Sequence, residues 1–208
     1  MKNTLNIDIE TYSSIDIKKA GLYRYAQSED FEVLIFAYSI NNEPVKVINM
    51  AQGELIPQNI INVLNDGVTK LYAYNAAFEW YCLNQAGYVT NLNQWQCTMI
   101  KGLYCGYPSG LGAIAKALNM PQNKQKDTAG KALIKYFSAP CTATKTNGGR
   151  LRNLPRHDPD KWKLYLDYCG QDVITEMAVL NTLSGFELPE KEWELWRLDI
   201  LMNEKGVE

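Results

Sequence analysis

The chain has one histidine, and its five cysteines (Cys82, Cys97, Cys105, Cys141 and Cys169) form no C-x-x-C pair. A zinc ribbon is therefore excluded, and an odd cysteine count resists a complete disulfide framework, so reduced thiols in a cytoplasm are expected. No uninterrupted apolar run approaches the roughly 18 residues of a membrane span, and the opening MKNTLNIDIE lacks the apolar centre of a signal peptide. A protein without a membrane partner is expected. Charge of one sign is also missing: 21 Lys and Arg face 23 Asp and Glu, for a net charge of -2. That excludes coating nucleic acid by bulk electrostatics, so any such contact must be local. There is no internal repeat or low-complexity tract. What remains is 208 residues at 46% apolar content, enough for one sizeable core.

Residues 4–10 alternate, with Leu5, Ile7 and Ile9 on one face and Asn6, Asp8 and Glu10 on the other, the pattern of a half-buried strand. Residues 32–40 and 44–50 are apolar runs joined by Asn41-Asn42-Glu43, which predicts an antiparallel hairpin. A helix is expected over 57–64, a strand over 69–74, and a helix over 76–85 ended by Gly87. Residues 95–105, 111–118 and 128–137 all read as helical, punctuated by Gly106-Tyr107-Pro108, Pro121 and Pro140.

Residues 141–158 form the clear loop, with Gly148-Gly149 and the cations Lys145, Arg150, Arg152 and Arg156. Two readings stand side by side: a solvated surface loop, or a hinged basic grip on a phosphate backbone through Lys145, Arg150 and Arg152. Asp158-Pro159 then opens a long helix whose apolar stripe includes Trp162, Tyr165, Cys169, Val173 and Met177. Tyr168 and Asp172 border that stripe. A last amphipathic segment from Leu188-Pro189 carries Trp193, Trp196 and Ile200 and shows no stop before Glu208.

Three separated stretches carry the chemistry: Asp8-Ile9-Glu10, Asn75-Ala76-Ala77-Phe78-Glu79, and Tyr168-Cys169-Gly170-Gln171-Asp172. A D-x-E triplet arises by chance about once in a chain this long, and Asp30-Phe31-Glu32 is a second copy. Context separates the two. Asp8 and Glu10 share one face of a strand, whereas Asp30 and Glu32 flank a loop boundary. Tyr168 and Asp172 stand one above the other on a helix; Tyr12 and Asp16 repeat the spacing without one. Asn75, taken alone, is an N-cap and Glu79 an ordinary first-turn acid. Together, four carboxylates and a phenol suit hard divalent cations and phosphodiester chemistry.

These stretches resemble the three exonuclease motifs of the DEDD superfamily, in the subtype whose third motif carries tyrosine. Proofreading domains of family A DNA polymerases belong to it. Similarity to phage-type polymerases rests on Asp8-Ile9-Glu10-Thr11-Tyr12, Tyr74-Asn75-Ala76-Ala77-Phe78-Glu79-Trp80, Gly148-Gly149-Arg150-Leu151-Arg152-Asn153-Leu154-Pro155 and Tyr168-Cys169-Gly170-Gln171-Asp172-Val173, and covers essentially the whole chain. The tail, Met202-Asn203-Glu204-Lys205-Gly206-Val207, resembles the passage into a polymerase region. The resemblance thus implies an exonuclease domain over 1–187 and a helix over 188–208 leading toward a polymerase region of the same polypeptide.

It further implies an RNase H-like α/β fold, a central mixed sheet flanked by helices. Asp8, Glu10, Glu79 and Asp172 would hold two Mg2+ or Mn2+ ions, and Tyr168 would orient the attacking water. Thr11 and Asn75 would position the terminal nucleotide, with Phe78 packed beneath the site or stacked on a base. The implied reaction is hydrolysis of single-stranded DNA from its 3′ end to nucleoside monophosphates, as proofreading in a bacterial host's cytoplasm. His157 lies outside the third motif, where Tyr168 stands, and reads as a loop residue. One departure is Glu79, since the second motif usually ends in aspartate. A shift of ~1 Å can cost about a hundredfold in rate, so an inert domain that binds DNA or braces a polymerase is the alternative. An RNA-trimming exonuclease of the same superfamily is a further one.

Overall fold

A computed structural model describes residues 3–121 and 130–206. Its centre is strand β1 (Thr4–Tyr12), whose alternation directs the packing of everything else. Leu5, Ile7 and Ile9 point into one apolar cluster. Beyond β1 the chain forms a helix α1 (Ile17–Ala26) and the strands β2 (Glu32–Ile40) and β3 (Lys46–Ile48). The hairpin expected at Asn41-Asn42 is there: both asparagines have positive φ, and the Glu43 amide donates to the Ile40 carbonyl at 2.8 Å.

Helix α2 (Gln58–Leu64), strand β4 (Lys70–Ala73), helix α3 (Ala76–Gln85) and strand β5 (Trp95–Cys97) complete the sheet. The strand order is β3-β2-β1-β4-β5, antiparallel through β1, β2 and β3 and parallel from β1 through β4 to β5. The mixed sheet expected from the sequence is therefore present. Helices α4 (Thr98–Tyr104), α5 (Leu111–Ala117), α6 (Gly130–Phe137), α7 (Pro159–Thr182) and α8 (Glu190–Lys205) follow. Trp193, Trp196 and Ile200 of α8 enter the same cluster as Leu5, Ile7 and Ile9, so this last helix shares the main core.

Several expectations are corrected. Strand β1 is covered on both faces, not half-buried: α7 lies over its polar side, burying Asn6 and Glu10. Polar side chains of the helix meet polar side chains of the strand, which is why the alternation looked solvent-facing. Residues 95–97 are a strand, not the start of a helix, because Trp95 and Cys97 pair with Leu71 and Ala73. Helix α1 went unread. Asp16 caps it by accepting from the Lys18 amide, and Gly21 breaks it at φ 80, ψ 168, a conformation suited to glycine. The last helix stops at Lys205. Of the helix expected over 128–137, residues 128 and 129 lie outside the described residues.

One irregularity sits beside the first motif. Glu10 pairs with Ile35 but Thr11 pairs with Val33, so β2 bulges at Leu34. Bulges re-aim the strand locally.

Candidate active site

The three stretches converge. Asp8, Glu10 and Cys169 each offer a ligand atom, and these atoms all lie within 4.8 Å of one another. The convergence follows from β1 alternation meeting α7 periodicity: Asn6, Asp8 and Glu10 face Glu176, Cys169 and Tyr165 in turn. Glu10 accepts from the Tyr165 hydroxyl at 2.5 Å, and Cys169 donates to Asp8 Oδ2 at 3.3 Å. Tyr168 is hydrogen-bonded to Asp172 one turn along the helix.

Glu79 is buried in the first turn of α3, 5% exposed, within range of the charges of Glu10, Glu176 and Asp172 but outside the group formed by Asp8, Glu10 and Cys169. Burial pushes its carboxyl up to about 8, and the charges of Glu10, Glu176 and Asp172 push the same way. Its Oε2 is buried without a hydrogen-bond partner. A carboxylate so placed is costly unless a cation joins it or it takes a proton. Asp172, at 4% exposure, and Glu10 are buried in the same region. The clustered donors, the carboxylates of Asp8 and Glu10 and the Cys169 thiol, with the buried acids Glu79 and Asp172 in the same region, are oxygen-rich as hard divalent cations prefer.

Tyr168 is 2% exposed, and burial followed by the charges of Asp172 and Glu10 holds its phenol far above the usual range. It stays protonated. Gly130 presses on it from α6: a Cβ there would stand 1.9 Å from the ring.

The residues expected to touch substrate are spread more widely. Thr11 lies on the opposite face of β1 from Asp8 and Glu10, its hydroxyl paired with that of Tyr25 at 2.8 Å. The Phe78 ring is tilted against Tyr25, 6.4 Å between centroids, and packs against the apolar core. Asn75 occupies the N-cap position of α3, yet its exposed side chain makes no capping bond. In the basic loop, Arg150 bonds Asn153 and the Asn147 carbonyl. Arg152 pairs with Glu32 and lies 3.7 Å above the Tyr12 ring, while Lys145 is exposed. His157 Nδ1 accepts from the Leu154 amide, closing a 3-10 turn before α7.

Three residues of this region were not singled out from the sequence: Tyr165, Cys169 and Glu176. Their signal was available as spacing, since residues 165, 168, 169, 172 and 176 fall on one helical face. Glu176 is 2% exposed and accepts from Asn6 Nδ2 at 2.8 Å and from the Thr98 hydroxyl. Burial raises its carboxyl to about 7, against those two bonds.

No protein-family model matches the chain. A DNA polymerase of Bacillus phage SP02 is 48% identical over 205 residues, which is 98% of this chain and 31% of the polymerase. The chain thus spans about a third of that relative. Among solved structures, Brucella melitensis NrnC superposes with a TM-score of 0.60 at 13% identity, covering 99% of this chain and 83% of NrnC. Escherichia coli RNase D, an exoribonuclease, gives 0.53 at 12% identity, covering 98% of this chain and 46% of RNase D. At such identities these two speak for the fold alone. Among the described residues no helix is long and apolar enough to cross a membrane. Over almost its whole length the chain is thus similar to a part of a phage DNA polymerase, and it shares its fold with NrnC and RNase D.

Proposed function

We propose that this domain hydrolyses single-stranded DNA from the 3′ end, releasing nucleoside monophosphates, and proofreads for a polymerase region of the same polypeptide. The observation that carries the reading is Glu79: a buried carboxyl group with an unpartnered oxygen, set among the acidic side chains of Glu10, Asp172 and Glu176. Such a group calls for cations. Two Mg2+ or Mn2+ ions, when bound, would supply the positive charge that activates water and balances the departing 3′ oxygen.

The chain's own residues then divide the work. Asp8, Glu10, Glu79 and Asp172 would hold the cations, and Glu79 would have to give up its proton to do so. Tyr165 and Cys169, donating to Glu10 and Asp8, fix the orientation of those ligands. Tyr168, kept protonated and bonded to Asp172, orients the attacking water through its hydroxyl. Asn75 and the exposed Lys145 meet the nucleotide and its backbone, with Arg150 and Arg152 shaping the loop that presents Lys145. Thr11 and Phe78 brace the strand from behind through Tyr25.

The test is a 3′-labelled oligonucleotide incubated with magnesium, manganese or chelator, in DNA and RNA versions. Cleavage that needs the cation, prefers DNA and disappears in folded Asp8→Ala and Asp172→Ala variants supports the reading. A folded wild-type domain that leaves the label intact in manganese would instead mark a domain that only binds DNA or braces a polymerase. Preference for RNA would move the substrate to the other polymer, the 2′-hydroxyl being the discriminating group.

A further inference from the structure

Glu176 belongs to none of the three motifs, yet it is a fully buried carboxylate built into this region. Both of its oxygens are engaged: Oε2 accepts from Asn6 and Oε1 from Thr98. Asn6 precedes Asp8 by two residues on the same face of β1, and Glu176 follows Asp172 by one turn of α7. Thr98 is the first residue of α4, directly after β5. Its neighbours Cys97 and Met99 bond the Tyr74 carbonyl at 3.2 and 2.9 Å, at the end of β4 from which α3 carries Glu79 inward. One side chain therefore joins the strand of the first motif to the helix of the third, and reaches the turn that launches the second.

Physical chemistry makes this placement informative. A buried ionisable group is expensive, and well-packed apolar residues commonly serve stability as well or better. What the carboxylate adds is two directional bonds that fix register. A slip of α7 by one residue would translate it about 1.5 Å, more than the ~1 Å displacement that can cost about a hundredfold in catalysis. Tyr165 and Cys169 also cross from α7 to β1, but their bonds end on Glu10 and Asp8, which the exonuclease reading assigns to cations. The bonds of Glu176 end on Asn6 and Thr98, which that reading leaves aside.

We propose that Glu176 is a positioning residue, a clamp between β1, α7 and α4 that sets the spacing of the cation-holding carboxylates and so their affinity for divalent cations. The inference rests on the exonuclease reading above. Its test is a Mn2+ titration of the 208-residue chain, following free manganese by electron paramagnetic resonance, for wild type, Glu176→Ala and Glu176→Gln. Gln can offer its oxygen to Asn6 and its amide to the Thr98 hydroxyl, so it keeps the clamp without the charge. In Glu176→Ala the manganese Kd should rise about tenfold or more, the loss typical when partners behind a metal ligand are removed. Turnover should fall while KM stays nearly constant. Glu176→Gln should restore affinity close to that of wild type.

Thermal melting establishes that each variant is folded at the assay temperature. If Glu176→Ala does not fold, Thr98→Val, which removes one donor at constant shape, is read by the same criteria. A folded Ala or Val variant that binds manganese as tightly as wild type overturns the clamp. So does a Gln variant as weak as Ala, which would assign the effect to charge. Wild-type protein that takes up no manganese at all would overturn the exonuclease reading and this inference with it.

Discussion

The Tyr165 hydroxyl donates to Glu10 at 2.5 Å and shares a second hydrogen bond with Ser138 at 2.7 Å. A residue outside the three motifs thereby holds a carboxylate inside the first of them. Its ring is fixed independently, stacked between Phe137 at 5.5 Å and Tyr168 at 6.2 Å. Hydroxyl and ring can therefore be separated by experiment. Tyr165→Phe should fold normally, keep its near-ultraviolet circular dichroism, and lose about tenfold in exonuclease turnover, the equivalent of one hydrogen bond of roughly 1.4 kcal/mol. Unchanged turnover in steady-state assays would mean that Glu10 needs no such support.

Gly130 and Tyr168 make a second testable pair. With 1.9, 2.3 and 2.6 Å from the position of a Cβ to three ring atoms, Gly130→Ala cannot be accommodated without moving the ring or α6. Overpacking of this kind costs about 1–3 kcal/mol. For a domain of this size each kcal/mol corresponds to roughly 2–4 °C in melting temperature. Calorimetry should show that loss, and turnover should fall because the hydroxyl is pushed from Asp172. In a Tyr168→Ala background the same substitution should be close to neutral, a coupling that a double-mutant cycle reads directly.

The basic loop separates stability from binding. Arg152 combines an ion pair to Glu32 with a position over the Tyr12 ring, and both groups of the ion pair are partly exposed. Arg152→Ala should lower stability by about 1 kcal/mol, the usual scale for a half-exposed pair with a ring contact. Lys145, exposed, should behave oppositely. Lys145→Ala should leave the melting temperature unchanged and reduce the salt dependence of single-stranded DNA binding by about one counterion contact. Equal salt slopes for wild type and variant, measured by fluorescence anisotropy, would remove Lys145 from the DNA path.

How far the chain could be read in advance depends on where its information lies. Strand β2, helix α3 and the start of α7 were legible because local rules decide them: an apolar run rich in β-branched and aromatic residues, a helical apolar pattern closed by Gly87, and Asp158 capping a helix that opens on Pro159. Strand β5 was not, because three residues become a strand only by pairing with Leu71 and Ala73. Helix α1 was missed because its first turn carries no acidic residue, its apolar side chains are not segregated to one face, and Gly21 interrupts it. At the site, motif order singled out Asp8, Glu10, Glu79, Tyr168 and Asp172. Glu176 was not, since its role depends on Asn6 and Thr98, 170 and 78 residues away, meeting it in space. The pairing of Arg152 with Glu32 was not legible either, since it joins a loop to a strand 120 residues earlier.

The buried acids also set how stability varies with pH. Folding raises Glu79 from 4.5 to about 8 and Glu176 from 4.5 to about 7, in both cases through burial first. Between pH 4.5 and these values the folded state holds protons that the unfolded chain has released. Stability therefore falls as pH rises through that window, by up to about 1.4 kcal/mol per pH unit for each group. Asp30 and Asp66, depressed by hydrogen bonds that outweigh their burial, act below 3.8 and leave the window untouched. His157, lowered by burial and then by Arg150 and Arg156, works in the opposite direction, but it stays in contact with solvent, so its contribution is screened. In chelator the melting temperature should drop between pH 5 and pH 8. Manganese binds the ionised carboxylates, so its stabilisation should grow over the same interval and flatten or invert the slope. Glu79→Gln and Glu176→Gln should each remove part of the decline. A melting temperature that climbs with pH in chelator would show that neither carboxyl keeps its proton in the folded domain.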